Sequence, residues 1–353
     1  MKVAEAILLR AHRLDPGCFA LVMATGIVSI DVDQHGMHAL ALALFGVNLL
    51  AWLVFLALSG LRLRYFRRVL VADFVNPGRG AGFLTVAAAT CVLGSQCLTV
   101  VYLPTLARTL ALLGAVAWAT LIYLFFAATI TARIKPGFTR SINGGWLVAI
   151  VATQALAVLM VQLVADQPAA APAWLFGALC LYLLGAGLYL LIITLVVYRL
   201  VFFPLRAREF TPPYWIDMGA LAITTLAGSL IVLHTPMGGP LADLTPFVKG
   251  FTLFFWATAT WWIPLLALLE LWRYVWQHTP LRSEPDDWDI VFPLGMYTVG
   301  TYALAQALQL DFLLRIPAIG VYLSLLVWLL VAGGTVRRWY RGLHTNNRGV
   351  PLR

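Results

Sequence analysis

The chain has 353 residues, of which 61% are hydrophobic and 11% charged, with a formal charge of +9. Soluble domains run at roughly 45–50% apolar and about 25% charged residues. This chain therefore carries more apolar surface than a soluble interior hides, and lipid must be the solvent for much of it. The positive excess reads as membrane orientation, and no nucleic-acid partner is expected.

Residues 1–15 are too polar for a cleavable signal and lack a small-residue cleavage site. They predict a cytoplasmic segment with a short amphipathic helix on the membrane surface. A bilayer core needs about 20 apolar residues per helix. Ten stretches meet that need: 16–33, 37–60, 80–102, 105–132, 145–165, 173–203, 214–234, 247–274, 289–309 and 313–336. Residues 337–353 remain as a cytoplasmic tail, and 1–353 reads as a single transmembrane domain. Short connections make neighbouring helices antiparallel. With ten spans, 21 of the 24 Lys and Arg fall on the side of the two termini, leaving Arg108, Lys249 and Arg315 opposite. The positive-inside rule then puts both termini in the cytoplasm.

Odd and even spans differ. Odd spans carry a Pro or Gly at or near their start, at Pro16, Pro77, Gly144, Pro213 and Pro293, and small or hydroxyl residues midway. Even spans are long and rich in Leu. One helical hairpin repeated five times, always starting on the same side, predicts parallel repeats about an axis along the membrane normal. The expected fold is all-α and integral to the membrane, quasi-five-fold, with five helices around a central pore and five outside. Small residues suit either close helix packing or a polar path.

The stretch "WDIVFPLGMYTVGTYALAQAL" (288–308) combines an apolar run with Pro293, Gly295 and Gly300. Weakened backbone at membrane depth survives where protein buries it or where it lines a cavity. Phe292, beside Pro293, is a candidate gate, since an apolar constriction can close a conduit by drying it. Ordinary packing is the alternative. Candidate pore-lining or anion-binding residues are Phe19, Thr25, Gly26, Thr90, Thr153, Thr224, Thr225, Thr298 and Thr301, with Ser29 and Ser95 as further hydroxyls. Hydroxyls donate to an anion without holding it by a fixed charge. A single threonine more commonly bonds back to its own helix. Asp217, in the first turn of the seventh span, is a candidate for proton coupling. Its other reading is a favourable charge at a helix start. Glu270 and His234 read as interface residues.

The five hairpins, "FALVMATGIVSI" in span one and "WDIVFPLGMYT" in span nine resemble the tellurite-resistance/dicarboxylate transporter family. Its members include bacterial TehA, the slow anion channel of plant guard cells, yeast malate permease and fungal sulfite exporters. The segment "YWIDMGALAITTLAGS" (214–229) looks most like the bacterial branch associated with C4-dicarboxylates. The resemblance implies homotrimers in a bacterial inner membrane, with a pore in each protomer lined by five inner helices. It also implies a phenylalanine of the ninth helix closing that pore, matched here by Phe292. The implied substrates are small anions: a C4-dicarboxylate such as malate, or sulfite, tellurite, chloride or nitrate. Whether the pore is a channel or a proton-coupled carrier stays open.

No HExxH, P-loop, GxSxG or CxxC motif occurs. Neither a cofactor nor a metal is expected, and Cys18, Cys91, Cys97 and Cys180 read as small hydrophobes. A competing class is a membrane-embedded enzyme acting on a lipid or isoprenoid through Asp286, Asp287 and Asp289, although acids there also suit a helix start. A scaffold with a sealed centre is a third.

Overall fold

The computed structural model describes residues 3–166, 171–280 and 283–346, and among them there is helix and no strand. The chain opens with α1 (Val3–His12), α2 (Ala20–Gln34), α3 (His38–Tyr65) and α4 (Arg67–Phe74). It continues through α5 (Thr85–Thr99), α6 (Pro104–Thr131), α7 (Phe138–Ser141), α8 (Val148–Gln162) and α9 (Ala171–Phe202). The last four are α10 (Ile216–His234), α11 (Thr245–Leu271), α12 (Trp288–Leu308) and α13 (Arg315–Asn346).

Five hairpins organise these helices: α2 packs on α3, α5 on α6, α8 on α9, α10 on α11, and α12 on α13. The first member of each hairpin packs on the first member of the next. The series α2, α5, α8, α10, α12 closes on itself because α12 packs on α2. Each second member also touches the following inner helix, so that α3 reaches α5, α6 reaches α8, α9 reaches α10, α11 reaches α12, and α13 returns to α2. An inner ring of five is thus wedged by an outer ring of five.

Burial separates the rings. The apolar windows of the spans containing α5, α8 and α10 are 78%, 89% and 83% buried, whereas those of the five outer helices are only 17–33% buried. Of α2, 12 of 15 residues are buried, and of α12, 15 of 21. Among the described residues, eight helices are long and apolar enough to cross a membrane, against the ten spans expected; α2 and α12 are the two that fall short. Protein encloses both, so neither has to satisfy lipid by itself.

The inner helices start abruptly. Single 3₁₀ turns at Gly80–Leu84, Gly144–Leu147, Pro212–Trp215 and Pro285–Asp287 lead into α5, α8, α10 and α12. Pro293 is not at a start, as the repeat had suggested, but inside α12. The actual start is the capping box of Glu284 and Asp287, in which the Glu284 N–H donates to Asp287 Oδ2 at 2.8 Å. The tail expected from 337 is instead helical to Asn346. Helix α1 folds back on α3, with His12 edge-on to Phe66 at 4.9 Å and the Arg10 guanidinium 5.3 Å over Trp339.

Candidate functional site: the axis of the inner ring

A cavity of about 90 Å³ opens along the ring axis, and all five inner helices line it. Its lining recurs at three- and four-residue steps: Ile27, Ile30 and Gln34 on α2; Val92, Ser95 and Thr99 on α5; Ala155, Val158 and Gln162 on α8. Helix α10 adds Ile223, Leu226, Leu230 and Leu233, and α12 adds Met296, Val299, Tyr302, Ala303 and Gln306. This is the spacing of one face of a helix. Apolar residues form the throat. At the C-terminal ends of the helices, exposed Gln34, Thr99 and Gln306 and half-buried Gln162 form a neutral polar rim. Among the described residues, no Lys, Arg, Asp or Glu lines the cavity.

The face of α12 that carries Gln306, Ala303, Val299 and Met296 continues to Phe292 one turn deeper. Phe292 is 2% exposed. Below it the same face carries Asp289. Pro293 leans on α10, where a Cβ on Gly219 would lie 2.8 Å from Pro293 Cγ. Gly295 admits α2, and Gly300 sets α12 against the Ala222 carbonyl of α10. The helix-weakening residues of this segment are thus its close-approach points to both ring neighbours.

The recurring threonines point elsewhere. Trp52 Nε1 of α3 donates to Thr90 Oγ1 at 3.1 Å, and Trp118 of α6 to Thr153 at 2.8 Å. Trp256 of α11 donates to Thr301 at 3.0 Å, and Trp328 of α13 to Thr25 at 3.1 Å. Each pair joins an outer helix to the next inner helix. At the remaining seam, between α9 and α10, Tyr189 takes the tryptophan position and donates to the Asp217 carbonyl at 3.3 Å. Thr90, Thr153 and Thr301 also donate to their own helix at Val86, Ala149 and Tyr297. Their hydroxyls staple the two rings together instead of facing the lumen.

The other candidates are placed as follows. Thr224 and Thr225 bond back to Ala220 and Leu221 at 2.7 and 2.9 Å, outside the cavity lining. Thr298 bonds back to Leu294 and lies against Gly320 of α13. Gly26 lets Val92 and Asn48 approach, and Ser29 donates to the Ala41 carbonyl at 2.8 Å. The ring of Phe19 lies 5.6 Å from Phe55 of α3 and is not part of the cavity lining. Only Ser95 of the hydroxyl candidates lines the cavity, and Phe292 lies one turn beyond Met296 of its lining. Asp217 is fully buried, and neither carboxylate oxygen has a partner among the described residues.

Several residues went unflagged in the sequence. Gln34, Thr99, Gln162 and Gln306 make the rim, each at the end of a stripe visible only once helix rotation is known. Asp31 is fully buried in α2; Ser324 Oγ donates to its Oδ2 at 2.7 Å, and His35 Nδ1 stands 3.5 Å from its Oδ1.

Acids gather outside the ring at the N-terminal end of α12. Arg79 bridges Asp15 at 3.3 Å and Asp73 at 2.9 Å, and Asp73 also pairs with Arg62. Burial, reinforced by the neighbouring charges of Asp15, Glu284 and Asp287, pushes Asp286 up to about 6. Burial likewise raises Asp287, whose carboxylate caps the helix start. Among the described residues, no three His, Cys, Asp or Glu side chains gather as a metal site.

A model of the voltage-dependent anion channel family matches residues 13–336. The chain belongs to that family. It is 44% identical to a Mycobacterium tuberculosis membrane protein over 142 residues, which is 40% of this chain and 71% of the relative. Two Methanocaldococcus jannaschii proteins, each named as an uncharacterized transporter, are 24% identical over 340 and 336 residues. They cover 93% and 92% of this chain and 94% of their own lengths. Family membership makes this a multi-pass membrane protein of the anion channel and transporter class. Its partners are small anions and the lipid bilayer.

Proposed function

We propose that small anions pass along the axis of the inner ring in each protomer, and that Phe292 closes this path at rest. One observation carries the reading: the stripe of α12 that lines the axial cavity runs directly into a buried aromatic ring. The cavity beyond Phe292 has an uncharged lining, which suits conduction, because a fixed deep cation would bind an anion too firmly to release it. The rim amides of Gln34, Gln162 and Gln306 offer N–H donors to an entering anion. The narrow throat favours small inorganic anions such as chloride, nitrate, sulfite or tellurite over a C4-dicarboxylate such as malate. The distribution of Lys and Arg supports cytoplasmic termini in a bacterial inner membrane, and the family resemblance supports a homotrimer.

A channel fits better than a proton-coupled carrier. Asp217 lies at the α9–α10 seam, not in the lumen lining, so a proton on it is not exchanged in contact with the anion. Proteoliposome flux tests the proposal. Phe292→Ala is expected to raise anion flux at least about tenfold under a set membrane potential without a pH gradient. Unchanged flux in that variant rules out the plug, and uptake that needs a proton gradient rules out the channel.

A further inference from the structure

A second cavity, of about 520 Å³, lies off the axis at the N-terminal end of the inner helices. One wall is the segment Val75–Pro77 after α4, and the other is the end of α6 with the connection to α8. Trp146 is the floor and ties the walls together: its indole N–H donates to the Pro77 carbonyl at 2.9 Å and the Ser141 carbonyl at 2.8 Å. Asn143 adds a bond to the Gly78 carbonyl at 3.2 Å. The cavity is therefore a built groove and not a gap between loose loops.

Its chemistry is divided. Lys135 lines it, with Arg133 and Arg140 close in sequence, and all three are exposed. No acidic residue occurs between Asp73 and Asp166, and among the described residues no ion pair engages these three cations. The remaining lining is largely apolar, and the adjoining side chains are apolar and open, with Ile134 89% exposed and Ile130 69% exposed. Depth fits the same division. Helix α6 has 28 residues, about 42 Å at 1.5 Å per residue, which exceeds a hydrocarbon core of about 30 Å. Its end therefore reaches the headgroup level, where basic pockets meet anionic lipid.

We infer that this groove binds one anionic glycerophospholipid. The phosphate sits at Lys135 and Arg140, and an acyl chain lies over Ile130, Ile134 and Val75. The site does not depend on the axial reading, because neither Phe292 nor the lumen enters it.

The test is native mass spectrometry of the purified full-length protein, exchanged into detergent with equal phosphatidylglycerol and phosphatidylcholine. The wild type is expected to retain phosphatidylglycerol about tenfold over phosphatidylcholine. Lys135→Glu with Arg140→Glu is expected to abolish that preference while leaving the thermal unfolding midpoint in phosphatidylcholine unchanged. Ala132→Trp, which fills the groove, is expected to lower retention of both lipids. Equal retention of the two lipids by the wild type, or an unchanged preference in the double variant, overturns the inference. Displacement of the lipid by inorganic phosphate at equal concentration reassigns the site to free phosphate. A change of oligomer mass in Ala132→Trp reassigns the groove to a contact between copies; either result also overturns it.

Discussion

The inner and outer rings are built from the same number of helices, yet they use polarity in opposite ways. Outer helices expose most of their length, and four of the five turn a tryptophan inward while α9 turns Tyr189. Inner helices are buried on nearly every side, and four of them turn a threonine outward to meet the tryptophan while α10 offers the Asp217 carbonyl. Lipid is as apolar as leucine, so hydrophobicity does not sort one ring from the other; close packing and hydrogen bonds do. The consequence for the lumen is that the most conspicuous hydroxyls are consumed in the seams. The axial cavity is left to mostly apolar side chains, with Ser95 and Tyr302 in its wall and three amides and Thr99 at its rim.

The sharpest way to break this arrangement is to overfill the inner ring. Gly219→Leu forces a side chain against Pro293, where even a Cβ lies 2.8 Å away. Overpacking of a tight core costs about 1–3 kcal/mol. Folded yield and unfolding in mixed micelles should both fall by that order, whereas Gly46→Leu, with open space around it, should change little.

The seams come next. A double-mutant cycle on Trp118→Phe and Thr153→Val is expected to give a coupling of about 0.6 kcal/mol, with roughly 1.7 as an upper value for such pairs. The lumen control, Ser95→Ala, should leave stability unchanged within error. A coupling of zero at Trp118–Thr153 would remove the staple from the account. The seam without a tryptophan, α9–α10, sharpens the contrast. Tyr189→Phe deletes one long bond to a main-chain carbonyl and should cost about 0.5 kcal/mol, the low end of the net worth of a hydrogen bond.

A pH-dependent effect is expected at the acids below α12. Asp286, raised from 3.8 to about 6, holds more protons folded than unfolded between those values. Stability from this group is therefore complete below about pH 4 and is lost as pH rises through about 6. Asp286→Asn should be more stable than the wild type by about 1 kcal/mol at pH 7, after discounting for solvent screening. The two proteins should converge below pH 4, and a gap that persists there contradicts the assignment.

Much of this architecture was legible in the sequence. Repeated Pro and Gly near the inner starts, Leu-rich partners and the one-sided placement of Arg and Lys suffice for hairpins that begin on one side. The rotation of each inner helix was not legible, because a helix buried all round has no polar face to orient it. Thr25, Thr90, Thr153 and Thr301 therefore read as lumen residues. A usable signal did exist on the partner helices. Asn48 and Trp52, Gly114 and Trp118, Thr252 and Trp256, and Ser324 and Trp328 all repeat a four-residue spacing, with Gly185 and Tyr189 as the variant. A tryptophan N–H buried at membrane depth needs an acceptor, and threonine supplies one. Phe292 stood out because of Pro293, yet the proline proved to be an interior contact to α10 and not the opening of the helix.

The most direct measurement is thiol block of flux in the Phe292→Ala background, with the four native cysteines replaced. In Ser95→Cys, on the lumen stripe, a water-soluble thiol reagent should remove at least about nine-tenths of the anion flux. In Thr153→Cys, on the seam, it should leave flux intact. Block at Thr153→Cys with none at Ser95→Cys would place the path between the rings and contradict an axial route.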